Sequence, residues 1–353
     1  MKMCQAMERL GIGVRLIIPA YESPGEIYQY YGVESKFRIV RFPYFGNSFL
    51  RNIVHGVLCT IYARAKKKEF DLAVTRNIVF ASLAINLFGI PVVYDAHHPL
   101  MFGARPLFNS FKKSKHLVRI SVNSRGLAEI YLKGGLPPEK LVIAHNGVDL
   151  ERYGSLPSYE RARADLGLPS DRKIVCYSGN IYEERGIEYL IEIAPRLSEV
   201  IFLIVGGSEQ DVARYRKLAR EKNVHNFKLT SYVPHHTVPI YLAASDLLIM
   251  PYSSRMRIRG GIMAQDFTFP IKLFEYMASC RPILATSLPS VSEILEDGVN
   301  AVLVEPDSAQ AILDGIQKIL GDPAFARRIS ERAVSDVKNY SWEGRAKKLL
   351  GLE

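Results

Sequence analysis

A chain of 353 residues, 48% hydrophobic and 23% charged, is sized for two α/β domains and reads as a soluble globular protein. No apolar run reaches the roughly 18 to 20 residues of a membrane span, and "MKMCQAMERLG" lacks the apolar stretch of a signal peptide. Four cysteines (Cys4, Cys59, Cys176, Cys280) without a CxxC pair suggest neither a zinc site nor a disulfide framework, and they fit a reducing cytoplasm.

The formal charge of +10 is unevenly spread. Residues 1–150 hold 20 Lys and Arg against 10 Asp and Glu, whereas residues 151–353 hold 26 of each. The basic excess includes "RAKKKEF" (64–70) and "FKKSKHLVR" (111–119), each with aliphatic and aromatic neighbours. Such patches suit an anionic membrane surface or a phosphate-bearing partner. No nucleic-acid recognition motif accompanies them.

In chain order, "MKMCQAMERLG" opens with a helical stripe of Met3, Met7 and Leu10 ending at Gly11. Strands are predicted at "VRLIIP" (14–19), "FRIVRF" (37–42), "DLAVT" (71–75), "PVVYD" (91–95), "LVRISVN" (117–123) and "KLVIAH" (140–145). Polar residues 146–172 read as a linker with a short helix. A second series follows: "KIVCYSG", "VIFLIVGG", "FKLTSY", "LLIMPY", "PILATS" and "AVLVEP". Strands alternating with helical segments argue for parallel sheets covered by helices. The expected domains are residues 1–155 and 156–335, with a last helix over 336–353. A doubly wound domain ordinarily opens with a strand and a Gly-rich turn. Here the chain is expected to begin inside its first helix, without them.

One stretch raises a chemical question. In "FPIKLFEYMASCRPILAT" (269–286), Lys272 and Glu275 interrupt an apolar helical run and share one face near the helix start. A solvated ion pair is the plain reading, and the surrounding motifs argue for more. "YSGNIYEERGIEYLIEIAPRL", "FLIVGGSEQD", "ASDLLIMPY", "HNGVD" and "PIKLFEYMA" together resemble the family-4 retaining glycosyltransferases of the GT-B fold. That resemblance covers nearly the whole chain. It implies an α/β protein of two Rossmann-like, doubly wound domains facing across a cleft, with a C-terminal helix returning to the first.

The resemblance also implies roles. Gly179–Gly186 stands where the family has its phosphate loop, with Arg185 as the cation on the donor diphosphate and Asn180 in place of a customary arginine. Glu275 matches the glutamate that holds the nucleotide ribose, a task suited to a carboxylate accepting from adjacent hydroxyls. Lys272 is expected on donor phosphate near a helix N-terminus. Phe267 occupies the position of a further family glutamate, and neighbouring Asp266 is a possible contact to the sugar. Ser290 and Glu293 in "LPSVSEIL" match the loop beside phosphate and sugar. In the first half, "YDAHHPL" matches a D-x-H spacing that assigns His97 to the transferred sugar, with His98 and Arg76 as cleft or acceptor residues. His97, Arg185 and Lys272 are the implied catalytic group.

The implied reaction moves a sugar, with retention, from a nucleotide-sugar to a hydroxyl of a glycan or lipid-linked acceptor, in cell-envelope polysaccharide or glycoconjugate synthesis. No metal or other cofactor is expected, and the sequence offers no Asp-x-Asp or His cluster to hold a metal. A cytoplasmic protein, peripheral on the inner face of the membrane, fits the basic first half. Two other readings are compatible with these motifs: a nucleotide-sugar epimerase, and an N-terminally short, catalytically impaired protein that binds only nucleotide or a partner. An NAD oxidoreductase fits poorly, because no GxGxxG follows a strand and opens a helix.

Overall fold

The computed structural model describes residues 1–20, 24–34, 37–43, 48–101, 103–255, 267 and 270–352. It divides into two compact units, residues 1–145 with 342–353, and residues 146–341.

The first unit runs α1 (Lys2–Arg9), β1 (Arg15–Pro19), α2 (Pro24–Tyr31), β2 (Arg38–Phe42), α3 (Ser48–Ala65), β3 (Ala73–Thr75), α4 (Ile78–Phe88), β4 (Val92–Ala96), α5 (Ala104–Phe111), β5 (Leu117–Val122), α6 (Arg125–Lys133) and β6 (Leu141–Ile143). Helix α1 closes where Gly11 N–H meets the Glu8 carbonyl at 2.9 Å and Ile12 N–H meets that of Met7 at 3.0 Å, the double bond of a Schellman turn. Asn77 caps α4 by accepting from Phe80 N–H at 3.0 Å. Strands β3-β4-β5-β6 form one sheet, and β1-β2 a separate two-stranded sheet. Every ladder is parallel. All five residues of β4 are buried, as expected of an inner strand covered on both faces.

The second unit runs α7 (Leu150–Gly154), α8 (Tyr159–Asp165), β7 (Lys173–Ser178), α9 (Ile187–Ile193), β8 (Val200–Val205), α10 (Glu209–Glu221), β9 (Phe227–Leu229), α11 (Val238–Ala243), β10 (Leu247–Met250), α12 (Ile271–Ala278), β11 (Ile283–Thr286), β12 (Val302–Val304), α13 (Ala309–Gly321) and α14 (Pro323–Val337). Its six strands form one parallel sheet in the order β12-β11-β10-β7-β8-β9. The chain winds outward from β7 one way and from β10 the other. The β7/β10 junction is therefore the switch point, beyond whose carboxyl ends an open α/β sheet binds its ligands.

Two expectations change. The segment 146–172 is no linker. Its helix α8 packs Ala162 against Ala243 and Ala244, with Leu156, Leu166, Leu168 and Ile240 around them. Arg163, charged in sequence, is buried and shares a 2.6 Å ion pair with Asp246. The units also meet in the chain at 145/146 and 341/342, because α7 contacts α12 and so belongs to the second unit.

Helix α15 (Trp342–Leu350) belongs to the first unit. Its Ala346 and Leu349 pack on Ala6, Met7 and Val93, with Trp342 and Leu350 alongside. Arg119 of β5 donates to the Lys348 carbonyl near the end of that helix at 3.0 Å. Among the described residues no helix is long and apolar enough to cross a membrane.

Candidate functional site

At the second unit's switch point, β7 delivers Ser178 and Gly179, and β10 delivers Pro251 and Tyr252. Gly179 has φ +121°, a conformation that calls for glycine, and a Cβ there would lie 2.6 Å from Lys272 Nζ and displace the ammonium. Gly186 is equally constrained: at φ +72° its Cβ would overlap the Pro251 carbonyl oxygen at 1.7 Å. The loop between them is thereby pressed against the end of β10, and it carries Arg185.

Two cations gather on aromatic faces at this place. Lys272, in the first turn of α12, has its ammonium 4.0 Å from the centre of the Tyr177 ring and 5.5 Å from that of Tyr252. The Arg185 guanidinium lies 4.7 Å from the Tyr252 ring centre and 5.3 Å from that of Tyr182. Burial, and then the charge of Arg185, push the Lys272 ammonium well below the usual lysine range, while Glu275 opposes the shift. No described carboxylate lies within ion-pair distance of Lys272. An anion arriving here would meet cations held by rings, near a helix N-terminus. Asn180 directs its amide to Tyr182 Oη at 2.6 Å.

Lys272 and Glu275 do not pair with each other. Glu275 is buried, and its Oε1 accepts from His235 Nε2 at 2.9 Å. The imidazole in turn stands 3.3 Å through Nδ1 from Arg152 Nη1, and its backbone carbonyl accepts from Arg152 Nη2 at 3.1 Å. An ionised carboxylate only accepts and a guanidinium only donates, so the His235 ring carries its proton on Nε2. Ser290 and Glu293 stand in the turns after β11, the strand beside β10, on the same carboxyl edge. Asp266 lies outside the described residues.

The first unit has its own polar cluster at the carboxyl end of β4. Asp95, buried, accepts from His97 Nε2 at 3.0 Å, from Arg76 Nε at 3.2 Å and from Arg345 Nη2 at 2.7 Å. Burial alone would raise the Asp95 carboxyl. The hydrogen bond from His97 and the charges of Arg345 and Arg76 outweigh it and hold Asp95 well below the carboxylate range. Burial lowers His97, and Asp95 only partly offsets that. His98 is tied through its backbone carbonyl to Tyr131 Oη at 3.2 Å, and burial and then Arg76 lower its ring.

The structure therefore brings Gly179, Arg185 and Lys272 together, places Glu275 one helical turn on, and joins Arg76 to His97 through Asp95. Sequence reading missed three contributors. His235 had a faint signal in the doublet of "YVPHH". Arg152 and Arg345 had none, since their partners lie 83 and 250 residues away.

Comparison with known proteins accords with this geometry. Residues 158–336 match the family model described as glycosyl transferases group 1, and residues 1–152 match that of glycosyltransferase family 4. The alpha-D-kanosaminyltransferase of Streptomyces kanamyceticus is 25% identical over 293 residues, which are 76% of this chain and 72% of that one. The alpha-galactosylglucosyldiacylglycerol synthase of Streptococcus pneumoniae is 27% identical over 246 residues, 68% of this chain and 60% of that one. The chain spans between 50% and 60% of the length of several further curated relatives.

Among solved structures, a glycosyltransferase from Rickettsia africae superposes with a TM-score of 0.78 at 16% identity, covering 99% of this chain and 92% of that one. Anabaena HepE in complex with UDP-glucose gives 0.75 at 18%, covering 95% and 90%. These neighbours share the GT-B fold, two Rossmann-like α/β domains. With the family model spanning just over half of its length, the chain belongs to the group 1 glycosyl transferases.

Proposed function

We propose that the protein transfers a sugar from a nucleotide-sugar to a hydroxyl of a glycan or lipid-linked acceptor, with retention of configuration. The observation that carries this reading is the set at the second unit's switch point: two cations on tyrosine rings above Gly179, with a buried carboxylate one turn along the same helix. Chemically, Lys272 and Arg185 would stabilise the diphosphate as the glycosidic bond breaks, a charge that grows toward the transition state. Glu275 would take the ribose hydroxyls. Donor phosphate would favour the charged form of Lys272, which burial disfavours. His97, by the resemblance, serves the transferred sugar. Several relatives are named as glycosyltransferases, which favours transfer over epimerisation.

The acceptor side is proposed to work at an anionic membrane surface. Exposed Leu50, Val57 and Ile61 follow one another at helical spacing along α3, and exposed Arg64, Lys66, Lys67 and Lys68 continue from its end. Apolar side chains beside lysines suit the interface of anionic lipids. Flotation with anionic liposomes should carry the protein up and neutral liposomes should not; equal behaviour with both ends the membrane proposal.

The decisive test of the donor site is calorimetry. One of UDP, GDP or their sugar conjugates should bind, and Glu275→Ala should weaken it by about 1 kcal/mol or more. Product analysis with donor alone then separates transfer from epimerisation. A folded protein that binds no nucleotide overturns the reading.

A further inference from the structure

Helix α15 does more than pack. It inserts Arg345, only 3% exposed, beside a carboxylate at the end of β4 and within 3.4 Å of His97 Nε2. Such a pair is a weak way to gain stability, because burying both charges offsets most of their attraction. Arg345 makes it weaker still: its Nε and Nη1 have no hydrogen-bond partner among the described residues. What the pair does is geometric. Arg345 takes Asp95 Oδ1, which leaves Oδ2 to the imidazole and Arg76. Since the carboxylate can only accept, its shorter 3.0 Å contact puts the ring proton on His97 Nε2. The 3.4 Å approach of Arg345 Nη2 to that nitrogen is then a contact between charge and ring and not a hydrogen bond, and Nδ1 is left as the acceptor.

We propose that Arg345 is a positioning residue for His97, acting through Asp95 to fix the imidazole tautomer and to keep the ring neutral, with Nδ1 as its acceptor. The assignment of His97 to sugar transfer rests on the functional reading above; the control of its ring by Arg345 does not. The charged groups that face the ring come from three elements: Asp95 on its own strand, Arg76 after β3 and Arg345 on α15. Their signs make the proposal directional. Asp95 favours the protonated ring, while the two arginines oppose it.

The test is nitrogen-15 NMR of the histidine side chains in the full chain, with the His97 signal among the eight histidines assigned by its loss in His97→Asn. In the wild type the ring proton is expected on Nε2, with a titration midpoint below that of an ordinary histidine. Arg345→Gln should raise the midpoint by about one pH unit or more, and Arg345→Lys should hold it near wild type. Asp95→Asn should move it the other way. A helix that merely docks would leave the midpoint where it was in any variant that folds. A wild-type ring protonated on Nδ1 overturns the proposal without any variant, and so does an unmoved midpoint in folded Arg345→Gln. These readouts need no nucleotide, so the transferase reading can fail in calorimetry while this one stands, and the reverse.

Discussion

Among the described residues each unit buries one arginine against an aspartate, and the two pairs are built differently. Arg163 donates to the carbonyls of Ala244, Pro169 and Arg172 as well as to Asp246, which also receives Tyr159 Oη, Lys173 Nζ and the Ile174 N–H. Nearly every polar atom there has a partner, and the pair joins α8 to the start of β7 and to the residue just before β10. Arg345 and Asp95 form a sparser arrangement, with two arginine nitrogens unmatched among the described residues and a histidine sharing the carboxylate. A saturated pair acts as a staple. An unsaturated pair that shares its carboxylate with a titratable ring is arranged around that ring.

That contrast can be broken experimentally. The largest effect should come from Asp246→Ala, which strands the buried Arg163 charge and the donors around it. A loss of about 3–5 kcal/mol in denaturant unfolding is expected. If Asp95→Ala proved the more costly change, the distinction between staple and arrangement would collapse.

A smaller effect sharpens the contrast between paired and ring-held cations. Lys272→Met should weaken a bound nucleoside diphosphate by about 1.5–3 kcal/mol while leaving the phosphate-free nucleoside untouched, both read by calorimetry. Because burial depresses Lys272 in the free protein, diphosphate binding should also take up protons, seen as a dependence of the binding heat on buffer ionisation.

The third outcome concerns acid. His97 and Asp95 are both depressed in the folded state, so their contribution to stability is present above their unfolded values and is lost as pH falls. For His97 the loss begins below about pH 6.5, and for Asp95 below about pH 4. Melting temperatures from pH 8 to 5 should fall less in His97→Asn than in wild type. Equal slopes would mean that the ring does not titrate with folding.

Much of this was legible in sequence, and the residues show why. The β-rich runs stood out because parallel strands buried on both faces, such as "VIFLIV", read as unbroken apolar stretches. Lys272 and Glu275 were legible as charges inside such a pattern. The region 146–172 misled because its polarity is real, yet Ala162 and Arg163 are buried by partners some 80 residues on, which no local window contains. His235 and Arg345 were hidden for the same reason. A side chain whose meaning is its partner cannot be read from its neighbours.

The place of α15 in the chain has a consequence for how the protein is made. Asp95 and Arg345 are 250 residues apart, and the helix that completes the first unit follows the whole of the second. During synthesis the first unit must wait, with Met7 and Val93 lacking the cover of Ala346 and Leu349, while the intervening unit emerges and can fold as a continuous segment. The unit begun first is finished last. Closing it brings together ends of very high sequence separation, a slow step in the physics of loop closure. A nascent chain stalled before residue 342 would therefore hold a complete second unit and an open first one, with its histidine not yet aligned.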